Sequence, residues 1–311
     1  MFAGCAANTS SHSLAVPTTY EFRLVSETLK DEWASERMYW VDNDRLVFRA
    51  DVYDGPTRVE GKRYGLYLWN DRTQTLRQIE GIAVGLCASD GVLSFIAVRG
   101  EQRVYVEGPV DALKESVLPS SWRELERIAC RAVPAGTIPP KLLALPGAGL
   151  LEDRRLAPGR ALPYKYYPQI NSEPVELPIN PLHTGPGVHR YSEFTKSHIF
   201  KSSVFDRDSQ TTPVLQVFAD GTTRTLAIPD GPWLRGMTVP LPTARGWLLA
   251  TPRNGVYLMS DQTFQRASPG QVLDIAVSPD GCRAALKMRL AGDGAVPPVP
   301  VYTVLLCRKG E

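Results

Sequence analysis

From residue 282 onward apolar and polar positions alternate. Cys282, Ala284, Leu286 and Met288 interleave with Arg283, Ala285, Lys287 and Arg289. A period of two places one set on a single face of a strand that covers a core. Val272 to Val277 precedes this strand, and Ser278-Pro279-Asp280-Gly281 lies between them. Ser first, Pro setting φ at the second position and Gly at the fourth are the residues a type I turn prefers. Beyond the loop Gly292 to Pro300, the run Val301 to Cys307 predicts a third strand and completes an antiparallel meander.

The same unit recurs upstream. Met38 to Val41, the turn Asp42-Asn43-Asp44, Arg45 to Val52, Tyr64 to Trp69 and Leu76 to Ile79 predict four strands. In the second of these, Leu46, Phe48, Ala50 and Val52 share a face. Ile82 to Ala88, Asp90-Gly91, Val92 to Val98 and Arg103 to Glu107 follow. Later come Ser197 to Phe205, Pro213 to Ala219, Asp220-Gly221 and Thr223 to Ile228. Met237 to Leu241, Gly246 to Thr251, Asn254-Gly255, Val256 to Met259 and Phe264 to Ala267 form the next group. Asp-Gly and Asn-Gly suit hairpins because they tolerate positive φ.

Many short strands with this punctuation read as a propeller, a barrel or sandwiches. Repeat units begin near Arg37, Gly81, His189, Leu234 and Gln271, and the interval between Gly81 and His189 is long enough for two. At about 40–50 residues per four-stranded blade, the chain predicts an all-β propeller of six blades, or seven. The last meander has three strands, while Tyr20 to Val25 is an orphan strand with Tyr20, Phe22 and Leu24 on one face. Adding it to the last blade closes the ring and removes a free edge. Paired β-sandwiches are the alternative. Residues 20–311 are therefore expected to form one propeller domain behind a 1–19 tether. Its irregular section is 109–188, where Trp122 to Cys130 suggests a short helix and Pro139, Pro140, Pro163, Pro168, Pro174, Pro178, Pro181 and Pro186 forbid long interior strands.

Two short segments resemble known families. Ala276 to Leu286, with Ser278-Pro279-Asp280-Gly281 at its centre, resembles the repeat of TolB-like and WD40-like propellers. That resemblance implies a blade and carries no chemistry. Phe2-Ala3-Gly4-Cys5 resembles the lipobox of bacterial lipoproteins, which implies that Cys5 is the lipid-attachment site and that Met1 is an internal start within a longer signal or an arbitrary boundary. Ala6 to Thr19 is uncharged apart from His12 and rich in Ser, Thr, Ala and Asn, as a flexible tether would be. Ala6 rather than Asp after the cysteine implies the outer membrane. The expected location is the periplasm, lipid-anchored to that membrane.

Composition narrows this picture. The 311 residues are 43% hydrophobic and 22% charged with net charge +2, which excludes a disordered chain and gives no nucleic-acid footprint. No run of eighteen apolar residues is present to span a membrane as a helix. Apart from Cys5, the cysteines are Cys87, Cys130, Cys282 and Cys307, an even number that an oxidising compartment can pair. Cys282 opens one predicted strand and Cys307 closes the next, so they face each other in a symmetric hairpin, as a disulfide or as two buried thiols.

Candidate chemistry is sparse. His183, His189 and His198 fall in one short span and are the candidate metal ligands, although their spacing matches no recognised motif. Gly-x-Ser-x-Gly, Ser-x-x-Lys and Walker motifs are absent, and Gly147-Ala148-Gly149 lacks the third Gly and the βαβ context of a dinucleotide site. No cofactor is expected. Arg154, Arg155, Tyr164, Lys165, Tyr166 and Tyr167 form a candidate binding patch, with Trp233 and Arg235 as a second, because Arg and aromatic side chains dominate protein–protein hot spots. A strand with core tyrosines is the competing interpretation of residues 164–167. The expected function is a non-enzymatic, envelope-tethered module that binds a protein partner as an accessory, scaffold or immunity-type lipoprotein. A propeller hydrolase or lyase acting on a glycan or peptide, metal-assisted through the histidines, is the alternative.

Overall fold

The computed structural model describes residues 20–31, 38–117, 142–144, 149–152, 164–169, 171–177, 189–201, 209–234, 237–261, 263–289 and 298–307. Among them every regular element is a strand. The N-terminal segment supplies β1 (Phe22–Leu24) and β2 (Leu29–Asp31). Sheet 1 contains β3 (Tyr39–Trp40), β4 (Arg45–Asp54), β6 (Gly65–Asn70) and β7 (Thr75–Glu80), with β5 (Thr57–Arg58) paired to the far end of β4. Sheet 2 is β8 (Ala83–Ser89), β9 (Val92–Arg99), β10 (Gln102–Pro109) and β11 (Lys114–Val117). Sheet 3 is β12 (Leu142–Ala144), β13 (Leu150–Glu152), β14 (Tyr164–Tyr167) and β15 (Val175–Leu177). Sheet 4 is β16 (His189–Ser192), β17 (Ser197–Lys201), β18 (Thr211–Phe218) and β19 (Thr223–Pro229). Sheet 5 is β20 (Leu241–Thr243), β21 (Gly246–Thr251), β22 (Gly255–Ser260) and β23 (Thr263–Ser268). Sheet 6 is β24 (Gln271–Val277), β25 (Arg283–Arg289) and β26 (Val299–Leu305), and β1 is its fourth strand.

Each sheet is an antiparallel meander, and its turns follow from residue type. Asp90 and Gly91 have φ of 51° and 74°, the paired positive values of a type I′ hairpin. In the Ser278–Gly281 turn the Gly281 N–H donates to the Ser278 carbonyl at 2.9 Å, and the Arg283 N–H donates to Ser278 Oγ at 2.8 Å. Gly281 has φ of +72°, and a Cβ there would stand 2.6 Å from the Ala244 nitrogen. Only glycine lets the turns of sheets 5 and 6 meet, and there the Ala244 N–H donates to the Gly281 carbonyl at 3.0 Å.

Alternating apolar positions bury both faces of most sheets, so the core lies between blades. Leu248, Leu258, Val272 and Leu286 join sheets 5 and 6. Trp40, Phe48, Ala276 and Ala285 join sheets 6 and 1. Val47, Leu68, Leu93 and Phe95 join sheets 1 and 2. Tyr166, Leu177, Phe200 and Leu215 join sheets 3 and 4, and Ile199, Val214, Trp247 and Leu249 join sheets 4 and 5. No described cluster spans sheets 2 and 3. Six sheets in sequence order, with five of their successive faces packed on one another among the described residues, form a six-bladed β-propeller and not a pair of sandwiches.

Closure comes from the N-terminal strand. Phe22 pairs with Val304 and Leu24 with Tyr302, while Tyr20, Phe22 and Leu24 pack on the cluster between sheets 5 and 6. The sequence pattern did not reveal β2. It pairs with β26 on one side and β4 on the other, stitching sheets 6 and 1 into one ten-stranded sheet. Beneath it the fully buried Lys287 ammonium donates to Asp31. Cys282 and Cys307 form a disulfide with Cα atoms 5.0 Å apart. Cys87 is also disulfide-bonded, and neither remaining cysteine, Cys5 nor Cys130, lies among the described residues.

Candidate functional site

Among the described residues, the first strands β16, β20, β24, β3 and β8 lie next to one another around the ring axis. Arg190 on β16 donates to Asp274 on β24, and the Met38 N–H reaches the other oxygen of that carboxylate at 3.4 Å. Asp274 is 2% exposed and the Arg190 side chain 13%, so the carboxylate is held out of water and paired with a guanidinium that keeps slight contact with solvent. The Trp40 indole N–H donates to the Ala276 carbonyl at 3.3 Å, tying the inner strands of sheets 1 and 6. Among the described residues a cavity of about 50 Å³ is bordered by Met38, Trp40, Ala88, Tyr191, Leu241 and Ile275.

At one mouth of the axis the turns between first and second strands converge. Asp42 and Asn43 come from sheet 1, Asp90 and Gly91 from sheet 2, Glu193 and Lys196 from sheet 4, and Pro279 from sheet 6. They form a cup of about 270 Å³. The Lys196 ammonium spans it, 2.5 Å from Asp90 Oδ1 and 2.6 Å from Glu193 Oε2. Burial works against its charge, but the hydrogen bonds to Asp90 and Glu193 outweigh burial and hold the ammonium above the usual lysine range. Beside it the Tyr191 phenol is pushed up to about 12, by burial first and then by the Glu193 charge.

On the same face a groove of about 900 Å³ runs between sheets 6 and 1. Its floor is organised by Arg283, whose guanidinium lies 3.0 Å from Asp44, 3.4 Å from Asp71 and 3.4 Å from Asp280. Asp71 also accepts from Thr303 Oγ1 at 2.6 Å and from the Trp69 indole at 3.2 Å. Tyr20, Glu21, Arg23, Arg72, Gln74 and Leu305 complete the rim.

The residues singled out from sequence are dispersed. Two of them are core side chains, which corrects their assignment to binding patches. Tyr166 on β14 is fully buried between sheets 3 and 4, because alternation within Tyr164–Tyr167 points it inward. Trp233 is 6% exposed and stacks on Phe264 with ring centres 3.7 Å apart, its indole donating to the Pro229 carbonyl at 2.9 Å. Lys165 and Tyr167 are half-buried, and Tyr164 is placed only as a backbone position on β14. Arg154, Arg155, Arg235, His183 and Cys5, like the helix suggested for Trp122 to Cys130, lie outside the described residues.

His189 and His198 do meet. They are diagonal neighbours across β16 and β17, where His189 pairs with Phe200 and His198 with Tyr191, and His189 Nε2 lies 3.0 Å from His198 Nδ1. His198 is 1% exposed, with Tyr166, Tyr191 and Phe200 around the two rings. Catalytic zinc sites use three protein ligands and structural ones four. Among the described residues no group of three His, Cys, Asp or Glu side chains is arranged to hold a metal. Sequence reasoning missed the Asp90–Lys196 pair, whose partners are 106 residues apart. The only local signal was that both residues occupy hairpin turns.

Fold and site together define a six-bladed propeller with a polar, acid-rich mouth. No known protein family matches the chain and no curated protein matches it. Among solved structures it is similar to the AtxE2 isopeptidase, at 10% identity and a TM-score of 0.43 over 93% of this chain and 52% of that one. It is also similar to the acylaminoacyl peptidase of Pyrococcus horikoshii, at 12% identity and 0.40 over 91% and 46%. A third is the β-propeller domain of the Trilobed protease from Pyrococcus furiosus, at 10% identity and 0.36 over 85% and 83%. The chain spans about half the length of the first two. At such identities and TM-scores no activity transfers from them.

Proposed function

We propose that this propeller is a protein-binding module, held in a bacterial envelope by a lipid on Cys5 and presented on the segment of residues 6–19. The observation that carries the reading is the size and polarity of the mouth face. Among the described residues, the cavity bordered by the inner strands holds about 50 Å³, whereas the mouth face offers a cup of about 270 Å³ and a groove of about 900 Å³. A broad polar surface of this kind suits a macromolecule. The groove rim is polar apart from Tyr20, Val304 and the partly exposed Leu305, which suits a transient partner better than an obligate one.

Two experiments test the two halves of the reading. A photo-crosslinking amino acid at Gln74 or Arg72, on the exposed groove rim, should capture a discrete envelope protein, and the same probe at Arg253 on the opposite face should not. Equal capture at both positions, or none at the rim, overturns the binding surface. For the anchor, radiolabelled palmitate should enter the protein expressed from its natural gene and be lost in Cys5→Ala. Unchanged membrane fractionation of that variant overturns the anchor without touching the binding surface.

A further inference from the structure

The mouth cup has chemistry of its own. Lys196 fills it as a cation lent by the chain itself, from a turn position with φ of 47°, and its side chain is 53% exposed. Glu193 presents one oxygen to Lys196, while its other oxygen, Oε1, is buried and accepts no hydrogen bond. A buried carboxylate oxygen without a donor is costly, and a cationic donor is its best complement. Pro279 and the edge of the largely buried Trp40 also line the cup, apolar groups against which the methylene stem of a lysine or arginine can lie. We propose that the cup is a docking pocket for a lysine or arginine side chain of a partner protein, which displaces Lys196 and donates to Glu193 and Asp90. The Lys196 ammonium then swings out to water, and no covalent bond changes. This rests on the protein-binding reading and names the chemistry that the partner must carry.

The test uses a fluorescein-labelled hexalysine peptide, followed by fluorescence anisotropy at about 20 mM salt, where surface charges are little screened. Glu193→Gln should weaken binding about tenfold, equivalent to about 1.4 kcal/mol. Asp90→Asn should weaken it in the same direction. Lys196→Ala removes the internal competitor and should tighten binding severalfold. Asp220→Asn, in an outer turn of the same face, should change nothing. Thermal melting of each variant separates loss of binding from loss of fold. The proposal is overturned if Glu193→Gln binds like the parent, if Lys196→Ala weakens binding, or if Asp220→Asn is as harmful as Glu193→Gln. Binding of calcium alone with no peptide binding also overturns it. Capture of a protein at Gln74 that survives Glu193→Gln rejects the cup while leaving the protein-binding reading intact. Peptide discrimination without any captured protein rejects that reading instead.

Discussion

The joint between sheets 6 and 1 and the third sheet are built from the same hairpins and differ in almost everything else. At the joint the strands β24, β25 and β26 each run seven residues, β2 bridges two sheets, and a disulfide and a buried ion pair lie nearby. The strands of sheet 3 run three, three, four and three residues. Among its described residues the largest fully buried side chain, Tyr166, carries a hydroxyl with no hydrogen-bond partner. Closing a ring must offset the entropy of joining chain ends that are far apart in sequence, so interactions concentrate where N- and C-terminal strands meet. A sheet in the middle of the chain carries no such closure and tolerates weaker local structure.

The largest expected effect is at the buried pair. Asp31→Ala removes the Asp31 carboxylate from the buried Lys287 ammonium, and should cost about 3–5 kcal/mol in urea unfolding monitored by fluorescence. A cost under about 1 kcal/mol, the range of exposed pairs, would show that the joint does not depend on it. The double change Cys282→Ser with Cys307→Ser frees a link of sequence separation 25 and should cost about 3 kcal/mol, lowering the melting temperature of the whole domain. In sheet 3 the sign reverses. Tyr166→Phe deletes the unpartnered hydroxyl and should be neutral or stabilise by about 1 kcal/mol. Clear destabilisation would contradict the difference drawn between the two regions.

An effect confined to one pH range is expected at the mouth. The Tyr191 phenol ionises near 10 when free and near 12 in the fold, mainly because it is buried. Its protonated form is favoured by folding, so this contribution is complete below about pH 10 and disappears as pH rises towards 12. Tyr191→Phe should flatten that segment of the stability profile and leave the rest unchanged. Denaturation curves collected across the window would show it.

Local patterning made much of the architecture legible. Alternation in Arg283–Arg289 and Arg45–Asp54, with Asp-Gly and Asn-Gly turns between strands, identified the hairpins because side-chain period and turn dihedrals are properties of a few consecutive residues. The three-stranded last meander and the orphan Tyr20, Phe22 and Leu24 implied the closing strand, since a free edge needs a partner. β2 escaped notice because Leu29–Asp31 is too short to show a period and is defined by its two neighbours. The patch at Tyr164–Tyr167 was ambiguous for the same reason. Four residues of strand look alike whether a neighbouring blade covers them or not.

The amino-acid sequence by itself determined the class of fold, the approximate number of blades, the strand that closes them and the one hairpin that Cys282 and Cys307 can bridge. These follow from short-range stereochemistry and from counting. Only the tertiary structure decided which charges meet: Lys287 with Asp31, Arg190 with Asp274, and Lys196 with Asp90 and Glu193. It also decided that Tyr166 and Trp233 are core while the mouth turns are surface. Pairing across a ring depends on where distant blades come to rest, and burial depends on what packs above a strand. Neither quantity is carried by the residues on either side of it in the chain.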